Sequence, residues 1–206
     1  MRLTPSKIIC VGRNYREHAA ELGNDVPAAP LLFLKPPTSI IQGGEPIVMP
    51  RASSRVDHEG EIGVVVGARL RRASLDEARA AIQGIVAAND VTARDLQKID
   101  GQWTRAKGFD TFCPVGEIGN APADLDALEV ITRVNGDVRQ HGLASEMAFS
   151  IPVILAYASQ VMTLLPGDLV LTGTPSGISP LAPGDTVEVE VVGISSVRSP
   201  VVAETG

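Results

Sequence analysis

The chain has 206 residues, with 18 Lys and Arg against 24 Asp and Glu, and therefore a formal net charge of −6. An acidic chain with only one Trp, two Tyr and four Phe lacks the basic face and the stacking side chains that nucleic-acid binding requires. No apolar run approaches the roughly 18 residues of a membrane-spanning helix, so we expect neither nucleic acid nor membrane among its partners.

Length and cysteine content predict one domain in a reducing compartment. Because domains typically hold about 100–200 residues, we expect residues 1–206 to form a single domain. Cys10 and Cys113 are far apart in sequence, and neither belongs to a C-x-x-C pair. The apolar stretch before Gly12 is too short for a signal peptide. Together these features predict a cytoplasmic protein with two reduced thiols.

Glycine and proline divide the N-terminal third of the chain into short apolar segments. Runs bounded by Gly, Pro or polar residues predict strands at residues 8–11, 31–34 and 46–49. The Val-rich segment 61–67 carries the strongest strand signal and predicts a buried strand.

A helix and a second buried strand follow. Ser74, with Glu77 three residues later, is a capping-box signature and predicts a helix that begins there. We expect this helix to end near Gly84, and the apolar residues after it to form a buried strand that ends at Asn89 and Asp90. The helix is expected to place three apolar residues on one face: Leu75, Ala78 and Ile82.

The C-terminal half contains the sharpest turn signal in the sequence. Asn135 and Gly136 separate the segments Glu129–Val134 and 137–140, as in a hairpin with a type I′ turn. His141 follows this hairpin, and we expect no catalytic role for it.

A further helix and two strands complete the pattern. Ser150 precedes a predicted helix, and strands are predicted at residues 168–172 and 186–192. The helix is expected to direct four apolar residues inward: Ile154, Leu155, Ala158 and Val161. About eight to eleven strands and two or three helices, without regular β-α-β alternation, predict a strand-dominated α+β fold.

Three acidic residues suggest a metal site. Glu59 and Glu61 stand at i and i+2, so on a strand both carboxylates share one face. Asp90 closes an otherwise apolar strand, where side chains commonly enter a site. Adjacent carboxylates repel, and a divalent cation resolves that repulsion. Oxygen ligands without Cys or His favour Mg²⁺ first and Mn²⁺ or Ca²⁺ next.

The alternative is that the Glu-x-Glu pair is merely a solvated strand face. The apolar continuation over residues 62–66 indicates burial and therefore favours the metal site. His58 points to the opposite face from both glutamates, so we expect a structural role for it rather than ligation.

Several segments together resemble the fumarylacetoacetate hydrolase family. In chain order they are His58-Glu59-Gly60-Glu61, Asp90-Val91-Thr92-Ala93-Arg94-Asp95-Leu96-Gln97, Lys107-Gly108-Phe109-Asp110 and Leu171-Thr172-Gly173-Thr174-Pro175-Ser176-Gly177. The segments 11–21 and 33–36 are similar to small acylpyruvate-hydrolase and oxaloacetate-decarboxylase members of that family. The motifs span about residues 7–192 in the correct order, so the resemblance covers a single catalytic domain.

The resemblance implies a metal centre with a neighbouring lysine. The residues that match the family's metal ligands are Glu59, Glu61 and Asp90, which would hold Mg²⁺ or Mn²⁺. Lys107 matches a lysine that lies beside the metal and the substrate oxygens.

The resemblance also implies substrate contacts and a base. Thr174, and in some members Arg94 and Gln97, would contact the substrate. His18 and Glu21 match a pair on a segment that orders over the bound ligand and activates water.

Physical reasoning leaves alternatives open for the His18–Glu21 pair, for Arg13 and for Lys35. His18 and Glu21 meet only if residues 15–22 are helical, and the alternative is an exposed histidine near an unrelated glutamate. Arg13 is a candidate to bind a substrate carboxylate, although a loop arginine usually faces solvent. Lys35 is likewise either a candidate to bind a substrate carboxylate or a side chain that faces solvent.

The activity implied is metal-dependent hydrolysis of a carbon–carbon bond in a small 2-oxo acid, an acylpyruvate-like 2,4-dioxo acid. The alternatives are decarboxylation of oxaloacetate or a related diacid, isomerase or hydratase chemistry on a 2-oxo-diene, and a non-catalytic binding module. The family also implies a mixed, curved β-sheet that rolls over itself, and a homodimer. The apolar segments Ile151–Val161 and 197–202 are candidate contacts for that dimer.

Overall fold

The computed structural model describes residues 3–205, and strands dominate them. The fourteen strands are β1 (Ile8–Gly12), β2 (Leu31–Lys35), β3 (Ile40–Gln42), β4 (Ile47–Met49), β5 (Val56–Asp57), β6 (Gly60–Val66), β7 (Ile82–Asn89), β8 (Thr92–Ala93), β9 (Cys113–Val115), β10 (Glu129–Val134), β11 (Asp137–Leu143), β12 (Leu169–Leu171), β13 (Thr186–Val191) and β14 (Ser195–Ala203). The five α-helices are α1 (Arg16–Glu21), α2 (Leu75–Ala80), α3 (Arg94–Asp100), α4 (Thr104–Lys107) and α5 (Ile151–Val161). The strand-dominated α+β class expected from the sequence is confirmed. Within this described part of the chain, no helix is both long enough and apolar enough to cross a bilayer.

The strands form two large sheets and one short ribbon. The seven-stranded sheet has the order β2-β1-β12-β6-β7-β9-β3, with parallel pairing only between β1 and β12 and between β3 and β9. The five-stranded sheet has the order β11-β10-β13-β14-β4, and only β14 and β4 run parallel. Strands β5 and β8 pair as the antiparallel ribbon. The larger sheet is mixed and curved, as the resemblance implies.

Side chains from across the seven-stranded sheet meet in one interior cluster. Its members are Ile8, Cys10, Ile40, Val65, Val86, Ala88, Cys113, Val115, Leu169 and Leu171. Phe33 of β2 packs against the same cluster as Ile40 of β3, although β2 and β3 are opposite edges of the sheet. The sheet therefore folds back over itself. Cys10 and Cys113 are free and buried in this interior, and burial raises the pKa of the Cys113 thiol to about 12.

The other face of the seven-stranded sheet packs against the five-stranded sheet and two helices. Ile62, Val64 and Val66 of β6 join a cluster that includes Val189 of β13 and Leu155 of α5. Strand β6 is consequently buried along its whole length. Burial on both faces explains why its sequence is continuously apolar after Glu61.

The predicted capping box and hairpin are confirmed. The N–H of Glu77 donates to Ser74 Oγ, and the Ser74 N–H donates to the Glu77 carboxylate. Asn135 and Gly136 have φ angles of 55° and 90°, as a type I′ turn requires. Strand β11 continues to Leu143, so it includes the position directly after the predicted hairpin.

Three local predictions are wrong. The helix after Ser74 ends at Ala80 rather than near Gly84, because Ile82 already pairs with Val66 in the sheet. Leu75 is expected on one face with Ala78 but is 53% exposed whereas Ala78 is buried, and Val161 is expected to face inward but is 61% exposed. Leu75 and Val161 are terminal residues of their helices, where the apolar stripe no longer faces a neighbouring element.

The strand and helix totals also exceed the prediction. Elements as short as Val56–Asp57 and Thr104–Lys107 account for part of the excess. Neither a two-residue strand nor a single helical turn is long enough to show a hydrophobic period.

Both segments considered as dimer contacts are core elements of this chain. Helix α5 packs against α2, and its residues Ile154, Leu155 and Ala158 are fully buried. Residues 197–202 lie in β14, where Val197 and Val201 are buried against the rest of the chain. Their apolar character is therefore explained by the core of this chain.

The carboxylate of Asp168 joins the segment before β1 to the seven-stranded sheet. It accepts hydrogen bonds from Ser6 Oγ at 2.6 Å, Lys7 Nζ at 2.5 Å and the Leu165 N–H at 2.8 Å. Burial alone raises the pKa of this carboxyl, but the bonds from Lys7 and Ser6 lower it below its usual range. The ionised form is therefore the stabilising one.

Replacing Asp168 with Asn should lower the free energy of unfolding by about 2 kcal/mol at pH 7, because hydrogen bonds to a charged group contribute about 1.5–3 kcal/mol. The folded pKa lies below the unfolded value of about 3.9. The wild-type advantage should thus be complete well above pH 4 and shrink as the pH falls through the folded pKa. Urea unfolding at pH 7 and pH 3 measures both effects.

The matched control is Asp137→Asn, because the Asp137 side chain is 80% exposed and the ion pair that it makes with Arg139 is long, at 3.8 Å. It should leave the free energy of unfolding within about 0.5 kcal/mol. Equal stability of D168N and the wild type at pH 7 would contradict the stabilising role of this carboxylate.

Candidate active site

A cleft of about 290 Å³ collects nearly all the side chains that the sequence predicts for the site. Nine of the ten line it: Arg13, His18, Glu59, Glu61, Asp90, Arg94, Gln97, Lys107 and Thr174. The tenth, Glu21, does not line the cleft but contacts His18.

The acidic cluster lies where two buried strands begin and end. Glu61 is the second residue of β6, and Asp90 follows the last residue of β7. The two-residue period places Glu61 on the same face of β6 as Val65, which points into the interior of the rolled sheet. Glu59 precedes β6, and its N–H donates to Asn89 Oδ1 at 3.0 Å. One carboxylate oxygen from each of the three acids lies within 4.8 Å of the others.

Lys107 is bonded directly to this cluster. Its Nζ donates to Glu59 Oε2 at 2.7 Å, Asp90 Oδ2 at 2.6 Å and Thr92 Oγ1 at 2.8 Å. All three ammonium protons are therefore used. Burial alone lowers the pKa of Lys107, but Asp90 and Glu59 raise it above its ordinary value, so the side chain is cationic.

Lys35 is a second fully buried cation, and the sequence left its role open. Its Nζ donates to Asp90 Oδ1 at 2.7 Å, to the Val91 carbonyl at 3.3 Å and to the Lys107 carbonyl. Lys35 thus connects the carboxylate of Asp90 to the backbone of Lys107. The available signal was a lysine at the end of an apolar strand, before Pro36.

Arg94 is the third buried cation. It donates to Asp57 Oδ2 at 3.0 Å, to Glu59 Oε1 at 2.5 Å and to Gln97 Oε1 at 2.6 Å. Asp57 was not predicted to contribute to the site, yet it orients Arg94 and also accepts from the half-exposed Arg55.

The cluster holds more buried carboxylates than buried cations. Four carboxylates face three cations, all at most 5% exposed: Asp57, Glu59, Glu61 and Asp90 against Lys35, Arg94 and Lys107. Within residues 3–205 Glu61 has no ion pair, and the Gly173 N–H donates a hydrogen bond to it at 2.6 Å. Burial, followed by the charges of Asp90 and Glu59, raises the pKa of Glu61 well above its ordinary value. For Glu59, burial acts in the same direction, but Lys107 and Arg94 hold its pKa low.

This donor set fits a hard divalent cation. Three carboxylates converge without a Cys or His among them, and one of them lacks a counter-charge. Oxygen-only ligands suit Mg²⁺, Mn²⁺ or Ca²⁺. A divalent cation would supply the counter-charge that the Glu61 carboxylate lacks.

His18 has the geometry of a base held by a carboxylate. The predicted helix over residues 15–22 is α1, and it brings His18 Nδ1 within 3.0 Å of Glu21 Oε2. Because a carboxylate only accepts, Nδ1 is the nitrogen that donates, and in the neutral imidazole Nε2 is then the nitrogen with the lone pair. Glu21 is itself fixed by the Gly177 N–H at 3.1 Å.

Arg13 and an aromatic pair complete the wall of the cleft. Arg13 has a φ of 57°, in the left-handed region that non-glycine residues rarely adopt. Its guanidinium has no polar partner among residues 3–205, so it remains able to bind an anion. Phe33 and Trp103, which the sequence analysis missed, meet edge to face at 5.2 Å between centroids. Gly12 allows this arrangement, since a Cβ there would lie 2.7 Å from the Trp103 ring.

His58 lies outside the cleft lining, in agreement with its expected structural role. Its Nδ1 is 3.0 Å from Gln140 Oε1 and its Nε2 is 2.8 Å from Ser179 Oγ. His141 is exposed on β11 and contacts Glu129 at 2.7 Å, away from the cleft lining.

Replacing Lys35 with Met should lower the free energy of unfolding by about 3–5 kcal/mol, because removing one partner of a buried ion pair leaves the other charge uncompensated. Chemical denaturation measures this loss. The control is Lys98→Met, since Lys98 is exposed and should shift stability by less than about 0.5 kcal/mol. A K35M protein as stable as K98M would show that Asp90 does not depend on Lys35.

Known proteins similar to this chain share its fold over nearly its whole length. Residues 7–202 match the family described as fumarylacetoacetate (FAA) hydrolase, C-terminal. An oxaloacetate decarboxylase, mitochondrial, of Dictyostelium discoideum is 42% identical over 202 residues, which cover 94% of this chain and 92% of the relative. An oxaloacetate tautomerase FAHD1, mitochondrial, of Arabidopsis thaliana is 42% identical over 199 residues, with coverages of 94% and 89%. The crystal structure of a 2-hydroxyhepta-2,4-diene-1,7-dioate isomerase from Mycobacterium marinum is 46% identical, with a TM-score of 0.90 and coverages of 99% and 77%.

Proposed function

Because this chain belongs to the fumarylacetoacetate hydrolase family, we propose that it is a divalent-metal-dependent enzyme that acts on a small 2-oxo acid. The observation that carries the proposal is the uncompensated carboxylate of Glu61 beside Glu59 and Asp90. Mg²⁺ is the first choice of ion and Mn²⁺ the second. When bound, the ion would neutralise negative charge that develops on the substrate oxygens.

The chain's own side chains would bind and orient the acid. Gln97 Oε1 is engaged by Arg94, so the two amide N–H groups of Gln97 stay available for a carboxylate. Arg13, which has no polar partner within residues 3–205, offers a second anion contact. These donors would hold the substrate between the acidic cluster and the aromatic wall.

The reaction that uses every part of this geometry is hydrolysis of a 2,4-dioxo acid. His18 Nε2 would take a proton from water, and the resulting hydroxide would attack the C4 carbonyl carbon. The C3–C4 bond then breaks, and its electron pair passes into an enolate with charge on the C2 oxygen. Return of the proton from His18 to C3 gives the 2-oxo acid and a carboxylic acid. Glu21 would stabilise the intervening imidazolium.

Decarboxylation or tautomerisation of oxaloacetate is the second candidate. Two relatives that match nearly the whole chain bear those names. Decarboxylation also leaves an enolate at C2 and C3, but it needs no attacking water. The same cluster of charges would therefore serve it, without the base that hydrolysis requires.

Three further predictions of the sequence carry over as parts of this proposal. The catalytic unit would comprise residues 1–206 as one domain. It would assemble as a homodimer and work in the cytoplasm.

The proposal predicts turnover of acetylpyruvate, oxaloacetate or both in the presence of Mg²⁺, seen as loss of the enol absorbance, and no turnover in EDTA. Glu61→Gln should weaken Mg²⁺ binding at least about tenfold by calorimetry, because it removes the charge of the uncompensated ligand. Glu117→Gln, an exposed glutamate, is the control. Full activity in chelator would overturn metal dependence, and inactivity across a panel of 2-oxo acids would favour a binding module.

His18→Ala separates hydrolysis from decarboxylation. Loss of a general base should lower kcat for hydrolysis of acetylpyruvate by about 10²- to 10⁴-fold, whereas oxaloacetate decarboxylation should fall much less. His141→Ala is the matched control, because His141 also contacts a glutamate but is exposed and does not line the cleft. Unchanged hydrolysis in H18A would remove His18 from the mechanism.

A further inference from the structure

The hydroxyl of Thr174 is held by a buried network whose central member, Gln140, the sequence analysis did not identify. Thr174 lines the cleft and is 3% exposed. Its Oγ1 lies 2.9 Å from the Gly60 carbonyl oxygen and 2.7 Å from Gln140 Nε2. Gln140 lies in β11 and is 1% exposed.

Backbone groups fix the orientation of the Gln140 amide. Its Oε1 lies 2.9 Å from the Gly60 N–H, which can only donate, and its Nε2 lies 2.8 Å from the Pro175 carbonyl, which can only accept. If the amide were flipped, its N–H₂ group would face the Gly60 N–H, and its oxygen would face the Pro175 carbonyl oxygen. Neither contact would be a hydrogen bond. The Gln140 nitrogen therefore donates to Thr174.

The Thr174 hydroxyl has one remaining hydrogen-bonding capacity. Its single proton goes to the Gly60 carbonyl, which cannot donate, and one of its two lone pairs accepts from Gln140. What remains is the second lone pair. Toward a ligand in the cleft, this hydroxyl is therefore an acceptor only.

His58 completes the network, and its two contacts agree with the donor and acceptor roles assigned to Gln140. Because Gln140 Oε1 accepts, the proton of the neutral imidazole lies on Nδ1, and Nε2 accepts from Ser179 Oγ. Both N–H protons of the Gln140 amide and the Gly60 N–H are already used within the network. The hydrogen-bonding direction at Thr174 is therefore fixed.

We propose that Thr174 makes the cleft bind the enol form of its substrate, and that Gln140 is a positioning residue that keeps Thr174 an acceptor. The bound enol would then lose its O–H proton and gain a proton at C3, and the keto form so produced is the one that water attacks in the hydrolysis proposed above. The proposal rests on the 2-oxo acid specificity proposed above. The keto form of such an acid presents only acceptor oxygens, which repel an acceptor, whereas the enol carries one O–H donor. Gln97, with its free N–H groups, is the complementary donor for the carboxylate.

The ligand test uses malate and 2-fluorosuccinate, which differ only in that fluorine replaces the hydroxyl donor. Calorimetry in the presence of Mg²⁺ gives the ratio of their affinities. That ratio should fall about 5- to 20-fold in Thr174→Val, since a hydrogen bond to the hydroxyl is lost, and stay within about twofold in Thr174→Ser. Comparing ratios cancels any difference in how the two ligands contact the metal.

The outcomes separate the two proposals. Binding by the wild type with a ratio that does not change in T174V overturns enol selection and leaves the 2-oxo acid proposal standing. Binding of neither ligand to the wild type overturns enol selection alone, because neither ligand is a 2-oxo acid and the turnover assay above decides the 2-oxo acid proposal. A ratio that falls equally in T174S and T174V also overturns enol selection, because serine keeps the acceptor.

The positioning role of Gln140 is tested on the unaltered protein. Two-bond ¹⁵N–¹H spectra of the histidine rings should show His58 protonated on Nδ1 only, at neutral pH and without ligand. A proton on Nε2 with none on Nδ1 would mean that Gln140 presents its nitrogen to His58, and the assignment of Thr174 as an acceptor would be wrong.

Discussion

The constraint on which the rest of this structure depends is an imbalance of buried charge. Four carboxylates and three cations share one end of a rolled sheet, nearly inaccessible to water. Burying unpaired charge is costly, so each of these groups must be held by a partner. Asp90 obtains two lysines, Glu59 a lysine and an arginine, and Asp57 two arginines. Glu61 obtains a backbone N–H instead of a cation, and this deficit is what a divalent ion would fill.

The fold explains how such a cluster is assembled. Strands β6 and β7 are buried on both faces, so their ends can carry acidic side chains into a dry interior. Lys35 at the end of β2 and Lys107 at the end of α4 approach the same point from other parts of the chain. Beneath the cleft, Gln140 of the five-stranded sheet binds Gly60 and Thr174, so the smaller sheet sets the hydrogen-bonding direction of a side chain that lines it.

Local sequence patterns predicted the structure correctly where residues a few positions apart determine it. The i, i+2 spacing of Glu59 and Glu61 predicted their convergence, and Asn135-Gly136 predicted the hairpin turn. Long-range pairing decided the rest. Ile82 fits a helical period but pairs with β6, and Lys35 and Gln140 are buried because of partners at least 34 positions away. A lysine that ends an apolar strand before a proline is a weak local signal, and a glutamine in a hairpin strand carries none, so only the assembled sheet shows that both are buried.

The most direct test of the central claim is a crystal structure of the protein grown with Mn²⁺, with anomalous differences measured at the manganese absorption edge. The account predicts one strong peak within about 2.3 Å of a carboxylate oxygen from each of Glu59, Glu61 and Asp90. A map with no peak among these side chains, at saturating Mn²⁺, would contradict it. The charge deficit at Glu61 would then be met by a proton rather than by a metal.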